Sequence, residues 1–335
     1  MTRLHLRTRA CRVAIAAGAA ALAGALAAGP AAAQPRDATL DSMPREIVPA
    51  ETLATFPPGT FLENLLFAPD GSLLITSYFE RQVLRWRAGR VDTALQLDVH
   101  PVSLAPDVDG TLYFVAHGKS FRSGPDFVKT NQVWRWREGA APEPWIEAPQ
   151  AQFMNGIARV APGVFLVADS LAGAIWRVDV GRRAVERWLA HAELESTAPQ
   201  QLRPGANGIR ASGKTVVVSN STRRTLIEIA LRDDGGAGAL RVRAVDVPTD
   251  DFAIAEDGTV FSATHRDQIV RIRPDGTRHV VAEHVAVKGS TSAVFGVTAQ
   301  DRDAIYVVND GGLFFGAKEP PALVRLRVGV PGPAR

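Results

Sequence analysis

The sequence predicts an all-β protein, a six-bladed β-propeller, on three observations. First, one template recurs: a polar residue, an apolar stretch, a Gly turn and a short β-rich run. It reads "ENLLFAPDGSLLITS" from Glu63, "NGIARVAPGVFLVADS" from Asn155, "NGIRASGKTVVVSNS" from Asn207 and "DDFAIAEDGTVFSAT" from Asp250. Second, the copies close on runs such as "QVLRWR", "QVWRWR", "AIWRVD", "TLIEIA", "QIVRIR" and "ALVRLRV", several alternating apolar with basic residues. Period two marks a strand with one wet face. Third, turns such as Pro69-Asp70-Gly71, Glu256-Asp257-Gly258 and Pro274-Asp275-Gly276 punctuate the runs. Six units of roughly 35–50 residues suit four-stranded blades. An open sandwich or two unrelated β domains would not explain the shared template.

Taken in chain order, residues 1–33 read as a secretory signal peptide. Arg3, Arg7, Arg9 and Arg12 precede the apolar stretch from Val13 to Ala28, and Ala31-Ala32-Ala33 forms a cleavage site before Gln34. No twin-Arg pair is present, so Sec export to the periplasm or beyond is expected, with no membrane anchor after processing. Cys11, the sole cysteine, falls in the leader, which leaves the mature chain without thiol or disulfide. Residues 34–46 are expected to be a flexible mature N-terminus, 47–330 the propeller and 331–335 a C-terminal tail. Within the propeller, "VPAETLATFP" at 47–56 reads as an extra strand that closes the ring against the last blade and removes an open edge. The net charge of +3 includes the four leader arginines; without them 34 basic face 35 acidic residues, a charge of −1. A nucleic-acid partner therefore has no support. A monomer acting on a small molecule is expected.

Aligning the copies defines two rings of residues around the channel. The first holds Glu63, His100, Asn155, Asn207, Asp250 and Thr291. The second, fourteen residues on where no gap intervenes, holds Ser77, His117, Asp169, Asn220, Thr264 and Asn309. Glu63, Asn155, Asn207 and Asp250 all carry oxygen donors, a hard set that suits Ca²⁺ or Mg²⁺, with Mn²⁺ or Zn²⁺ as further candidates. Two acids facing each other in a channel would otherwise repel. Counting back from Gly258 selects Asp250 over Asp251, which is left as an additional or supporting group.

These residues resemble the senescence-marker-protein/gluconolactonase/luciferin-regenerating-enzyme family of six-bladed propellers, related to diisopropylfluorophosphatases and paraoxonases. The resemblance covers about 50–330 and is carried by "FLENLLFAPDG", "FMNGIARVAPGVFLVADSLAGAIWRVD", "GANGIRASGKTVVVSNS" and "PTDDFAIAEDGTVFSATH". It implies a divalent cation, usually calcium, held at the top of a central metal-binding channel by Glu63, Asn155, Asn207 and Asp250. The intervals of 92, 52 and 43 residues place these on blades one, three, four and five.

The resemblance further implies hydrolysis of a small lactone or ester whose carbonyl the cation polarises. Asp250 would serve as base or nucleophile; His100 is the rival base. Asp169 and Asn220 in the second ring are candidate supporting groups. His117 opens a long insertion, "HGKSFRSGPDFVKTNQ", whose Lys119, Arg122 and Lys129 would favour an acidic sugar at the channel mouth. His265 is a further pocket candidate. Phosphotriester hydrolysis at the same site, a non-catalytic binding propeller and a strictosidine-synthase-like lyase are the alternatives; the oxygen ligand set weighs against the last.

Overall fold

The computed structural model describes residues 37–317 and 319–333, so the expected leader lies outside the described residues. The strands form six four-stranded sheets. Blades one to five each take four consecutive strands, across 62–96, 100–147, 154–190, 206–244 and 252–283. Blade six takes three strands from 290–327 and its fourth from Ala50–Thr55, which runs antiparallel to Ala322–Arg327. The extra strand expected over 47–56 thus closes the ring.

The core is divided into slabs. Six apolar clusters occur among the described residues, one in each seam between neighbouring blades. Strand alternation explains how one blade serves two seams. In Leu73–Ser77, Leu74 enters the seam with blade two, while Leu73 and Ile75 enter the seam with blade six. Both faces are buried, so the strand reads as an unbroken apolar run rather than an alternating one. The outer strand Arg90–Gln96 is mostly exposed and accordingly polar.

The segment expected to be flexible at 34–46 is instead anchored over its described part. Asp37 caps a short helix, Ala38–Ser42, by accepting from the Leu40 N–H at 3.3 Å. Leu40 and Met43 are buried in the seam between blades four and five, and Asp37 pairs with Arg224. Beyond the helix, the Glu46 and Val48 N–H groups donate to Val280 and Val281 carbonyls at 2.8 and 2.9 Å. The expected tail is also tied down over 331–333: the Glu256 N–H donates to Pro331 O at 2.9 Å, and the Gly332 N–H to Arg302 O at 2.7 Å. Apolar side chains at 40 and 43, spaced to share one face, are the signal that composition alone concealed.

At the axis the innermost strands leave regular pairing. The register slips between Leu62 and Leu65, Pro101 and Leu104, Met154 and Ile157, Ala206 and Ile209, and Ser290 and Ser292. Such bulges release residues from the ladder and re-aim their side chains. The released positions include Glu63, Asn155, Asn207 and Thr291.

Deleting residues 45–58 should lower Tm by roughly 10 °C, because an outer strand and its seam contacts are lost together. Thermal denaturation of the truncated and full-length mature chains checks this; unchanged melting would refute the closure.

Candidate functional site

Two layers of side chains converge where the inner strands begin. In the upper layer, Asp250 Oδ1 accepts from Asn207 Nδ2 at 2.5 Å, and Asp250 Oδ2 lies 3.1 Å from His265 Nδ1. The other imidazole nitrogen lies 3.0 Å from Asp310 Oδ2. Burial alone would lower the His265 pKa, but the Asp310 carboxylate, together with Asp250, outweighs it and holds the pKa well above the usual range. His265 is therefore an imidazolium between two carboxylates. Its backbone is left-handed, φ +51°, a rare conformation that sets the direction of the ring. Burial, and then the Asp250 charge, push the Glu63 pKa well above the usual carboxylate value. Asp251 and Asp310 add to that rise and His265 opposes it.

The two amides are fixed by one device used twice. Ser170 donates its hydroxyl proton to Ala206 O at 2.8 Å, and Ser221 donates to Thr249 O at 2.8 Å. Each hydroxyl has one proton, so each must accept from its asparagine. Accordingly, Asn155 Nδ2 donates to Ser170 at 3.3 Å and Asn207 Nδ2 to Ser221 at 3.0 Å. This leaves Oδ1 of each amide without a hydrogen bond among the described residues.

In the lower layer, Asp251 accepts from Asn64, Ser292 and Arg210, which come from blades one, six and four. Asp251 therefore has its own cation, whereas Asp250 faces the upper layer. Gly156 and Gly208, the second residues of the two Asn-Gly-Ile sequences, let the blades approach this closely. A Cβ at Gly156 would lie 2.6 Å from Asn207 O, and one at Gly208 would strike the Asp251 carboxylate.

Strand pairing revises the blade-two alignment. His100 pairs with His117, as Leu62 pairs with Ser77 and Met154 with Asp169. Pro101, not His100, thus occupies the position equivalent to Glu63. The His100 ring stacks on Tyr78 at 4.9 Å, and its Nδ1–H donates to Tyr78 O at 2.9 Å. Burial lowers the His100 pKa, so the ring is neutral with a lone pair on Nε2.

The second-ring residues serve the blades rather than the channel. Asp169 accepts from the Gln152 and Phe153 N–H groups at 2.8 and 2.9 Å and from Trp176 Nε1 at 2.9 Å. Asn220 donates to Glu193 O and Glu195 O at 2.8 and 3.0 Å. Buried His117 donates from Nε2 to Met154 O at 2.9 Å and accepts from the Tyr78 hydroxyl at 2.9 Å. The residues that do meet the first ring sit one position later. They include Ser170, Ser221, His265 and Asp310, and a count of fifteen rather than fourteen from Asn155 or Asp250 would have found the first and third. Of these four the sequence reading named His265 alone; Ser170, Ser221 and Asp310 were missed.

The insertion at 117–131 folds as two short 3-10 turns, Phe121–Ser123 and Pro125–Lys129. Phe127 is buried against Phe153, with ring centroids 5.3 Å apart. Arg122, one of the insertion's basic residues, lies over the Phe79 ring at 4.1 Å.

Oxygen donors of the right type are therefore present. Two carboxylates and two amide oxygens make a set for a hard cation. The charge balance agrees: Asp250 and Asp310 outnumber His265, and Glu63 adds a second excess negative charge when it ionises. Among the described residues no group of three or more His, Cys, Asp or Glu side chains could hold a metal ion, so such a site depends on the two amides. No described helix is long and apolar enough to cross a membrane.

Known proteins with this architecture can now be set beside it. No family model matches the chain. A protein of Sarocladium schorii, provisionally named hetero-Diels-Alderase asR5, is 24% identical over 352 residues, covering 84% of this chain and 82% of its own. The gluconolactonase XC5397 of Xanthomonas campestris shares the fold with a TM-score of 0.62 and 17% identity, over 85% of this chain and 90% of its own. Regucalcin of Agrobacterium tumefaciens, described as a calcium-binding protein, gives 0.65 and 16%, over 87% and 98%. A luciferin-regenerating enzyme gives 0.65 and 15%, over 86% and 98%. The propeller fold expected from the family resemblance is thus shared with solved members of that group.

Gly208→Ala should cost about 1–3 kcal/mol by forcing blades four and five apart, measured by urea denaturation; a neutral effect would contradict the close approach. His117 gives a pH dependence. Burial lowers its pKa to about 4. Its neutral form is the folded form, so the stabilisation is complete above the unfolded value near 6.5 and is lost as pH falls from there through 4. The loss should approach about 3 kcal/mol, and His117→Gln should flatten that part of the pH–stability curve. An unaltered curve would exclude His117 as the source.

Proposed function

We propose that the chain is an exported, divalent-cation-dependent hydrolase of small lactones or esters, with Ca²⁺ the first candidate. One observation carries the reading: Ser170 and Ser221 fix the nitrogens of Asn155 and Asn207, so that each amide keeps an unengaged oxygen, and Asn207 also meets Asp250. Asn155 and Asn207, with Glu63 and Asp250, would hold the cation. When bound, it would polarise the substrate carbonyl and stabilise the developing negative charge.

The chain's own groups divide the remaining work. His265 offsets charge on Asp250 and Asp310, and as an imidazolium it has no lone pair with which to accept a proton. Asp250 has one partner on each oxygen, Asn207 and His265, and its remaining lone pairs would go to the cation, which makes it a ligand rather than the base. His100 is neutral, oriented through Nδ1 and free at Nε2, so its chemistry suits a proton acceptor for an attacking water, although it stands one position before the ring. Asp251 lies in the lower layer and acts through packing and charge balance.

A second reading has its own support. Similarity to the hetero-Diels-Alderase-named protein extends over most of both chains. A cycloaddition catalyst needs a shaped apolar surface and an electrophilic contact, but no activated water.

Metal analysis and calorimetry on the mature protein, with turnover of γ- and δ-lactones and organophosphates in the presence and absence of chelator, test the proposal. Glu63→Gln should lose cation binding and at least about 100-fold in turnover. Ser221→Ala should weaken cation affinity by about 10-fold or more while the fold persists, since it releases the amide of Asn207. Full lactone turnover in chelator would overturn the cation-dependent reading. Cation binding without hydrolysis of any ester would favour the cycloaddition reading or a binding propeller.

A further inference from the structure

The rim beside the acidic centre is aromatic. Phe61 enters blade one, Phe79 lies in the following turn, Phe121 in the blade-two insertion and Phe314 in the blade-six turn Leu313–Phe315. Their ring centroids lie close together: 4.9 Å for Phe61–Phe314, 5.5 Å for Phe61–Phe79, 5.4 Å for Phe79–Phe121 and 6.1 Å for Phe121–Phe314. The cluster continues into the site, since the His265 ring meets Phe314 at 5.5 Å and Phe315 at 5.6 Å, both nearly edge-on. Phe314 remains 37% exposed and is the one aromatic among the exposed large apolar side chains of the described residues.

Two cations at this rim lie against the rings. Arg122 lies over Phe79 and, at 5.4 Å, over Phe314, while Arg266 lies over Phe315 at 4.4 Å. Stacked guanidinium groups extend flat aromatic surfaces. The turn bearing Phe314 is held by the same carboxylate that holds the histidine. Asp310 Oδ1 accepts from the Gly312 and Leu313 N–H groups at 2.7 and 3.2 Å, and Oδ2 faces His265. Gly289, at φ +69°, leaves room for that carboxylate; a Cβ there would collide with it. Rim and acidic centre are thus positioned by one group.

We propose that the substrate carries a flat aromatic or fused-ring apolar body, packed against Phe314 and Phe121, with its polar reacting group directed to the acidic centre. Phe314 is the main specificity-determining residue, and a sugar lactone is disfavoured. The inference deepens the proposed function in that it places the reacting group at the same centre.

The test pairs kinetics with binding. Turnover of 3,4-dihydrocoumarin, δ-valerolactone and glucono-δ-lactone is compared in the cation-loaded mature protein. Binding of 3,4-dihydro-2-quinolinone, δ-valerolactam and gluconolactam, which replace the ester by an amide that resists hydrolysis, is measured by calorimetry. The aryl compounds should be preferred by about 10-fold or more, and Phe314→Ala should remove about that factor from the aryl members selectively. Phe121→Ala should act in the same direction, and thermal melting confirms that each variant is folded. If no lactone is hydrolysed yet the quinolinone binds with this dependence on Phe314, the hydrolase reading fails and the substrate class stands. Preference for the sugar or simple ring, equal weakening of all ligands by Phe314→Ala, or no aryl binding by the folded protein overturns the proposal.

Discussion

Bringing six twisted sheets round to a closed ring forces their innermost strands together, and the rest of the structure depends on how that crowding is resolved. At the axis there is no room for ordinary ladders. Short hydrogen bonds cross every junction instead: Thr76 to Val102 O, Ser103 to Asn155 O, Ser170 to Ala206 O, Ser221 to Thr249 O, the Thr264 N–H to Ser290 and Thr291 to Leu62 O. Small hydroxyl residues suit this because they satisfy buried carbonyls without adding volume. Gly156 and Gly208 are the same solution carried to its limit.

The site is a by-product of that packing. Bulges that relieve the crowding release Glu63, Asn155 and Asn207 from the ladder, and the hydroxyls that cross the junctions at Ser170 and Ser221 also orient the amides. The two layers differ chiefly in charge. The lower one is balanced internally by Arg210 on Asp251, and Asn64 and Ser292 bond the same carboxylate oxygen, Oδ2. The upper one has more carboxylate than His265 can neutralise. A rigid, balanced floor beneath an unbalanced upper layer concentrates the demand for a cation or electrophile at one place.

How far the sequence reveals this varies with the physics involved. Blade number and ring closure were legible because burial on alternating faces writes a period into each copy, and because a strand-like run precedes the first copy. Glu63, Asn155, Asn207 and Asp250 stood out because one slot changes while its frame repeats. The partners of these residues were harder to read. A bulge absorbs one residue without any mark in composition, so His100 was placed where Pro101 belongs. Asp169, Asn220 and His117 align with the ring but spend their polar atoms on nearby backbone, and only three-dimensional hydrogen bonding separates that role from one in the channel. Asp310 was hidden in Asn309-Asp310-Gly311-Gly312, which reads as an ordinary turn. The aromatic rim was missed because its members come from separate loops, each unremarkable alone.

Glu51 and Arg325, which meet across the closing pair of strands, are 274 residues apart in sequence. The first strand of the propeller to be synthesised therefore has no partner until nearly the whole chain exists. Loop closure over such a span is slow relative to the local hairpins that build each blade. The five other blades can acquire their internal pairing early, but the seam between blades six and one must wait. Leu62 and Leu65, which flank Glu63, pack in that seam. The acidic centre draws Asp310 from the blade that this pairing completes, so a chain that lacks the closing strand would present an open sheet edge next to it.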